Sequence, residues 1–207
     1  MRGLRLAAVA VLAASLTGCV TTGGATLQCS LSRILGQSCD TGVQQTSERW
    51  TQVQQAFDEE IAQARQAQQK AVASSSTLPQ RQQATAGEVT TLNIEIADSK
   101  TQEKRSIRTL DTVAVNLPLA GKGKPAHLAT FNAILDFANI AADNRGAATV
   151  IVYQNPADVK AGRANPAGTV LKSPSGKPVN VRKEADSSTP LGVERYVVKA
   201  GEVRGQL

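Results

Sequence analysis

Residues 125–153 read PAHLATFNAILDFANIAADNRGAATVIVY, and their pattern decides the fold. Pro125 suits a first helical turn, where a missing N–H costs nothing. After it, Leu128, Phe131, Leu135, Ala138 and Ala142 recur at helical spacing, Ile134, Phe137 and Ala141 widen the apolar stripe, and Gly146 is placed to end the helix. Ala148–Tyr153 (ATVIVY) is then a short continuous apolar run, the pattern of a central strand covered on both sides. Upstream, Val113, Val115, Leu117 and Leu119 alternate with other residues at the period of a half-buried strand. Strand, helix, strand predicts a right-handed parallel crossover.

Working outward, Leu92, Ile94 and Ile96 alternate as a second strand ahead of the first. Beyond Tyr153, Asn155-Pro156 caps a short helical turn that stops near Gly162, and Arg163–Gly168 forms a polar loop. Thr169–Leu171, the turn Ser173-Pro174-Ser175-Gly176 and Val179–Val181 read as a hairpin, and Val193–Val198 (VERYVV) as a last strand. Residues 89–207 are therefore expected to form an α+β domain, a mixed β-sheet with one principal helix, large enough to fold alone. No internal repeat is present.

Ahead of that domain, Ala73–Gly87 (ASSSTLPQRQQATAG) has a serine run, a proline and clustered glutamines without apolar period, and places a linker at 75–88. A long amphipathic helix precedes it over 41–74, opened by a capping box at Thr41-Gly42-Val43-Gln44. With Val43 at heptad position a, Trp50, Val53, Phe57, Glu60, Ala64, Ala67 and Ala71 follow on one weak seam. Trp50, Val53 and Phe57 are the expected partner-binding anchors. The seam then declines to alanines and the helix becomes a stalk. It suits packing on the chain's own domain and pairing with a second copy through the 43–71 helix equally well. Asp58, Glu59 and Glu60 read as solubilising residues.

At the amino terminus, two arginines precede an apolar run of 11 residues, Leu6–Leu16, which ends at Thr17-Gly18-Cys19. A membrane-spanning helix needs roughly 20 apolar residues, so 1–18 reads as a secretory signal. Leu16-Thr17-Gly18-Cys19 resembles the lipobox of bacterial lipoproteins, a likeness confined to these first 19 residues. The resemblance implies cleavage before Cys19, diacylglycerol on its sulfur and acylation of the new amino group. Several acyl chains anchor firmly where one would be marginal. Val20 in place of the aspartate that often retains lipoproteins in the inner membrane implies the outer membrane, with the chain facing the periplasm. Covalent lipid on Cys19 is the one non-protein group implied, with no cofactor.

With Cys19 taken by lipid, Cys29 and Cys39 remain as an even pair in an oxidising compartment, which predicts a disulfide. Closing nine residues this way is worth roughly 2.5 to 3 kcal/mol through restricted unfolded-chain entropy. The spacing fits no zinc site. Residues 19–40 thus read as a lipid tether and a stapled loop. Loss of Arg2 and Arg5 with the signal leaves 21 basic against 17 acidic residues, and 12 of the basic ones against 7 acidic ones lie from Ala120 onward.

The possible chemistry is sparse. Leu119-Ala120-Gly121-Lys122-Gly123-Lys124-Pro125 sits between strand and helix, where phosphate loops occur, but one residue separates its glycines where a P-loop has four. Lys122 and Lys124 remain as anion contacts. His127, the only histidine, lies in the first turn of the principal helix with no nucleophile setting such as Gly-x-Ser-x-Gly in the chain. Asp136 and Asp143 lie two turns apart on that helix, and no residue is assigned a catalytic role and none a metal. One Trp, two Tyr and three Phe argue against base stacking on nucleic acid. The sequence thus points to a non-enzymatic accessory or scaffold subunit of a cell-envelope assembly such as a secretion or conjugation apparatus, meeting other envelope proteins. A module for peptidoglycan or another envelope polymer, and a periplasmic inhibitor or protective lipoprotein, are the alternatives.

Overall fold

The computed structural model describes residues 46–98, 102–164, 169–172 and 176–203. The signal at 1–18, Cys19, the Cys29–Cys39 pair and the capping box at Thr41 lie outside the described residues, as do three of the four residues in the 173–176 turn. In chain order the elements are α1 (Thr46–Ala73), β1 (Thr85–Ala97), β2 (Lys104–Pro118), α2 (Pro125–Arg145), β3 (Ala148–Gln154), α3 (Pro156–Lys160), β4 (Thr169–Lys172), β5 (Pro178–Ala185) and β6 (Val193–Ala200). The fold is α+β around one mixed sheet of order β1-β2-β6-β3-β5-β4.

The principal helix stands where its apolar period puts it. Pro125 opens α2, and Gly146 closes it at φ 83° with its N–H donated to Ala142 at 2.7 Å, a left-handed cap that glycine adopts without strain. β2 and β3 run parallel, since each is antiparallel to β6. They are not neighbours, because the last strand of the chain is inserted between them and alternates Tyr196 and Val198 into the core. β3 does lie beside β5 in parallel, and β4 and β5 form the expected antiparallel hairpin.

Inward rows cross the sheet in register: Val115, Tyr196, Val152 and Lys183 in one, Val113, Val198, Val150 and Val181 in the next. Buried apolar residues of these rows share one core with Ile134, Phe137, Ala138 and Ala141 of α2 and with Ile61, Ala64 and Ala71 of α1. Both helices therefore cover the same face, and among the described residues the strand expected to be covered on both sides has a helix layer on one side. On the opposite face Asn116, Arg195 and Tyr153 form one row, and Ala114, Val197, Ile151 and Arg182 another. Only Ala114 and Ile151, each 6% exposed, are buried there. They sit in mid-sheet, flanked by longer side chains.

The seam on α1 is spaced as the sequence predicts, but its partner is the chain itself. Trp50, Val53, Ala56 and Phe57 are buried against Ile96 and Ile107 of the β1–β2 hairpin, with Ile94 and Val203 alongside. A partner-binding role for Trp50, Val53 and Phe57, and an oligomer seam along the described part of 43–71, are accordingly corrected: these side chains fill the molecule's own core. Nor is the second half of α1 a stalk, because its alanines let the helix approach the sheet and α2 closely. Gln68 reaches the β1 bulge and donates to the carbonyls of Gly87 at 3.0 Å and Ala114 at 2.7 Å.

Glu60, read as solubilising, is 1% exposed. It accepts from the guanidinium of Arg145, Nε to Oε1 being 3.1 Å, and Arg145 also donates to Thr109 while lying 5.0 Å from the Phe57 ring centroid. A charge so buried is tolerated because it is paired and hydrogen-bonded. The segment 75–88 is likewise not a loose linker. Ser75 is fully buried, donates to Val72 at 2.9 Å and accepts from the Ala84 amide at 2.7 Å, and β1 has already begun at Thr85. No described helix is long and apolar enough to cross a membrane.

Candidate functional site

Between the N-terminal half of α2 and the sheet lies an open cleft of about 540 Å³. Its floor is formed by Leu117, Val152, Val181, Lys183, Glu194 and Tyr196, which share one face because paired residues in a sheet point the same way. Leu128 and Phe131 of α2 form one wall, and the 119–125 turn closes the end. Leu128, placed on the apolar stripe by its spacing, is 60% exposed because it stands at the lip of the cleft and not in the core.

The turn between β2 and α2 is tightly held. The Leu119 amide donates to the Gly192 carbonyl at 2.7 Å, and the Lys122 and Lys124 amides donate back to Leu119 and Gly121. Gly121 is required by close approach, since a Cβ there would lie 2.3 Å from His127 Nε2. That nitrogen is 3.1 Å from the carbonyl oxygen of Gln82, so the buried His127 joins the turn before β1 to α2. From below, the Gly192 amide donates to Asp158 Oδ2 at 2.7 Å and Arg163 Nε donates to Oδ1 at 2.7 Å. The Gly192 amide, ahead of the Arg163 guanidinium, holds the Asp158 carboxyl below its ordinary range although burial pushes the other way.

Lys122 and Lys124, the expected anion contacts, both stand exposed at the mouth of the cleft. Lys124 Nζ donates to Gln82 Oε1 at 2.7 Å, and Lys122 Nζ donates to the Arg163 carbonyl at 3.3 Å. The structure adds Lys183 and a buried carboxylate to them. Glu194, 4% exposed, accepts from Gln154 Nε2 and from the Tyr196 hydroxyl, each at 2.6 Å. Lys183 and Lys122 place their ammonium groups 3.7 and 3.9 Å from its Oε1. Burial, and then the adjacent Glu194 charge, push the Tyr196 phenol far above its ordinary range, so it stays a donor. Its ring also meets Phe131, with centroids 5.6 Å apart and planes tilted by 56°.

Glu194, Tyr196 and Lys183 went unread as site residues, yet strand parity carries the signal. Glu194 shares the inward parity of Tyr196 and Val198, and Lys183 that of Val179 and Val181. A charged residue on the apolar side of a strand must find a buried partner. What sequence alone does not carry is that the two strands bring these charges to one end of one cleft.

Chemically the cleft offers hydrocarbon walls, a hydrogen-bonded carboxylate flanked by Lys122 and Lys183, and the exposed Lys124 at its mouth. Among the described residues no group of three or more His, Cys, Asp or Glu side chains could hold a metal ion. Cys19, Cys29 and Cys39 lie outside the described residues. No known protein-family model, curated protein or solved structure matches the chain.

Proposed function

We propose that the protein is a lipid-anchored accessory subunit of a cell-envelope assembly such as a secretion or conjugation apparatus, held at the outer membrane through Cys19 with its α+β domain facing the periplasm. It works by binding and not by turnover. The anchor rests on the lipobox Leu16-Thr17-Gly18-Cys19. The binding role rests on one observation: an open apolar cleft whose lip carries the exposed Leu128 and whose mouth carries the exposed Lys122 and Lys124. Exposed apolar surface with a polar rim is what interaction sites present. His127 supports the same reading, since its Nε2 is occupied by the Gln82 carbonyl.

In-cell cross-linking of a carboxy-terminally tagged chain, followed by mild-detergent purification and mass spectrometry, tests this reading. Recovery of a defined set of envelope proteins, lost in the Cys19→Ala variant together with membrane retention, is the expected result. Retention of Cys19→Ala in the membrane fraction would sink the anchor. A second reading, binding of peptidoglycan or another envelope polymer, is favoured by the sheet face opposite α1 and α2, where Arg182, Arg195 and Lys199 accompany Tyr153. Recovery of muropeptides alone, removed by salt, would move the assignment there.

A further inference from the structure

The geometry points to one long alkyl chain ending in a single anionic group, a long-chain fatty-acid carboxylate, as the occupant of the cleft. This deepens the binding reading and rests on it. Size is the first support. The volume of about 540 Å³ falls within the roughly 300–1,000 Å³ of small-molecule sites. A water-sized group takes about 30 Å³, and a methylene about as much, so the cleft holds about eighteen such groups, one alkyl chain and not two.

The distribution of polar groups decides the chemical class. A peptide would bring an N–H and a C=O with every residue, each needing a partner once buried. The strands under the cleft, β2, β6, β3 and β5, are all interior strands paired on both sides, so they offer no free ladder edge. Glu194 is already bonded to Tyr196 and Gln154. An alkyl chain asks for no such partners, and it gains about 0.8 kcal/mol for each methylene removed from water against Leu117, Phe131 and Val152.

Charge decides the head group. Three lysines face one glutamate around the cleft; Lys183 and Lys122 lie 3.7 and 3.9 Å from that carboxylate, which leaves a net positive lining with Lys124 as the cation outside the Glu194 pairings. An ammonium has three donors, and Lys124 spends one on Gln82. A carboxylate at the mouth therefore meets the exposed Lys124 ammonium, which keeps two donors free of Gln82, while its chain runs inward past Leu128, whereas a neutral head gains nothing there.

The full-length chain in phosphatidylcholine nanodiscs, labelled with a palmitate carrying a photoactivatable diazirine and mapped by peptide mass spectrometry, tests the inference. Labelling is expected on the peptides holding Leu117, Leu128, Phe131 and Tyr196. Unlabelled palmitate should compete at least tenfold better than its methyl ester, a comparison that needs no variant. Leu128→Asp and Lys124→Glu, both at exposed side chains, should each cut labelling about tenfold with the unfolding midpoint unchanged. Label scattered over the surface, or equal competition by acid and ester, would overturn the inference. Replacing Leu128 by a photo-cross-linking amino acid in cells separates the two claims. Capture of a protein without lipid would refute the ligand and keep the binding reading, and a cleft that captures nothing and takes no label would refute both.

Discussion

Truncating Phe57 asks whether α1 belongs to the fold or merely accompanies it. The ring is fully buried, packed with Trp50 and Val53 on its own helix and with Ile96 and Ile107 on the β1–β2 hairpin, and the Arg145 guanidinium lies 5.0 Å from its centroid. Phe→Ala at such a site removes the transfer energy of the ring and leaves a cavity, together about 3–5 kcal/mol. The cation–π contact adds about 0.5–2 kcal/mol, not strictly additive because Arg145 can settle further onto Glu60. At about 2–4 °C per kcal/mol for a chain of this size, Phe57→Ala should lower Tm by roughly 7–28 °C. Far-UV circular dichroism and Trp50 fluorescence, followed through thermal unfolding, should fall in one coincident transition before and after the change. Gln66→Ala, on the exposed side of α1, should stay within about 0.5 kcal/mol. An unshifted Tm for Phe57→Ala, or Trp50 fluorescence melting ahead of the sheet, would refute a shared core and restore α1 as a separate stalk.

Asp158→Asn should flatten the acid limb of the stability curve: the lowered native pKa means its contribution is whole above about pH 4 and is lost as pH falls through the native value, which urea titrations at several pH values will read. Tyr196→Phe works at the other end. The raised phenol pKa keeps its contribution whole below about pH 10 and erodes it above, so the variant should lose about 1–3 kcal/mol at neutral pH and show a shallower alkaline decline by denaturant unfolding. Gly121→Ala should cost about 1–3 kcal/mol through overpacking, because the new methyl meets the His127 ring, and a normal urea midpoint would show that the turn yields freely.

The local pattern foretold the elements and missed what they meet, for reasons visible at particular residues. Pro125 and Gly146 bound α2 because their backbone preferences act within one turn. The alternation of Tyr196 and Val198, or of Val179 and Val181, is likewise a property of one strand. The serine-rich segment at 75–88 misled because Ser75 and Gln83 are polar residues spent inside a turn: Gln83 donates to Ser76 at 3.1 Å and to Leu78 at 2.7 Å. Composition registers such residues as loose when their hydrogen bonds are internal.

By itself the sequence determined the α+β class, the principal helix with both its ends, the β4–β5 hairpin, the heptad spacing of α1 and the presence of two lysines beside the helix entrance. These depend on periodicity and caps, which are read within a few residues. Tertiary structure alone decided that β6 enters between β2 and β3, that α1 turns Trp50, Val53 and Phe57 onto its own sheet, and that Lys122, Lys124, Lys183 and Glu194 surround one apolar cleft. Those outcomes join segments as far apart as Glu60 and Arg145, and an amphipathic face specifies that it must be covered without specifying by what.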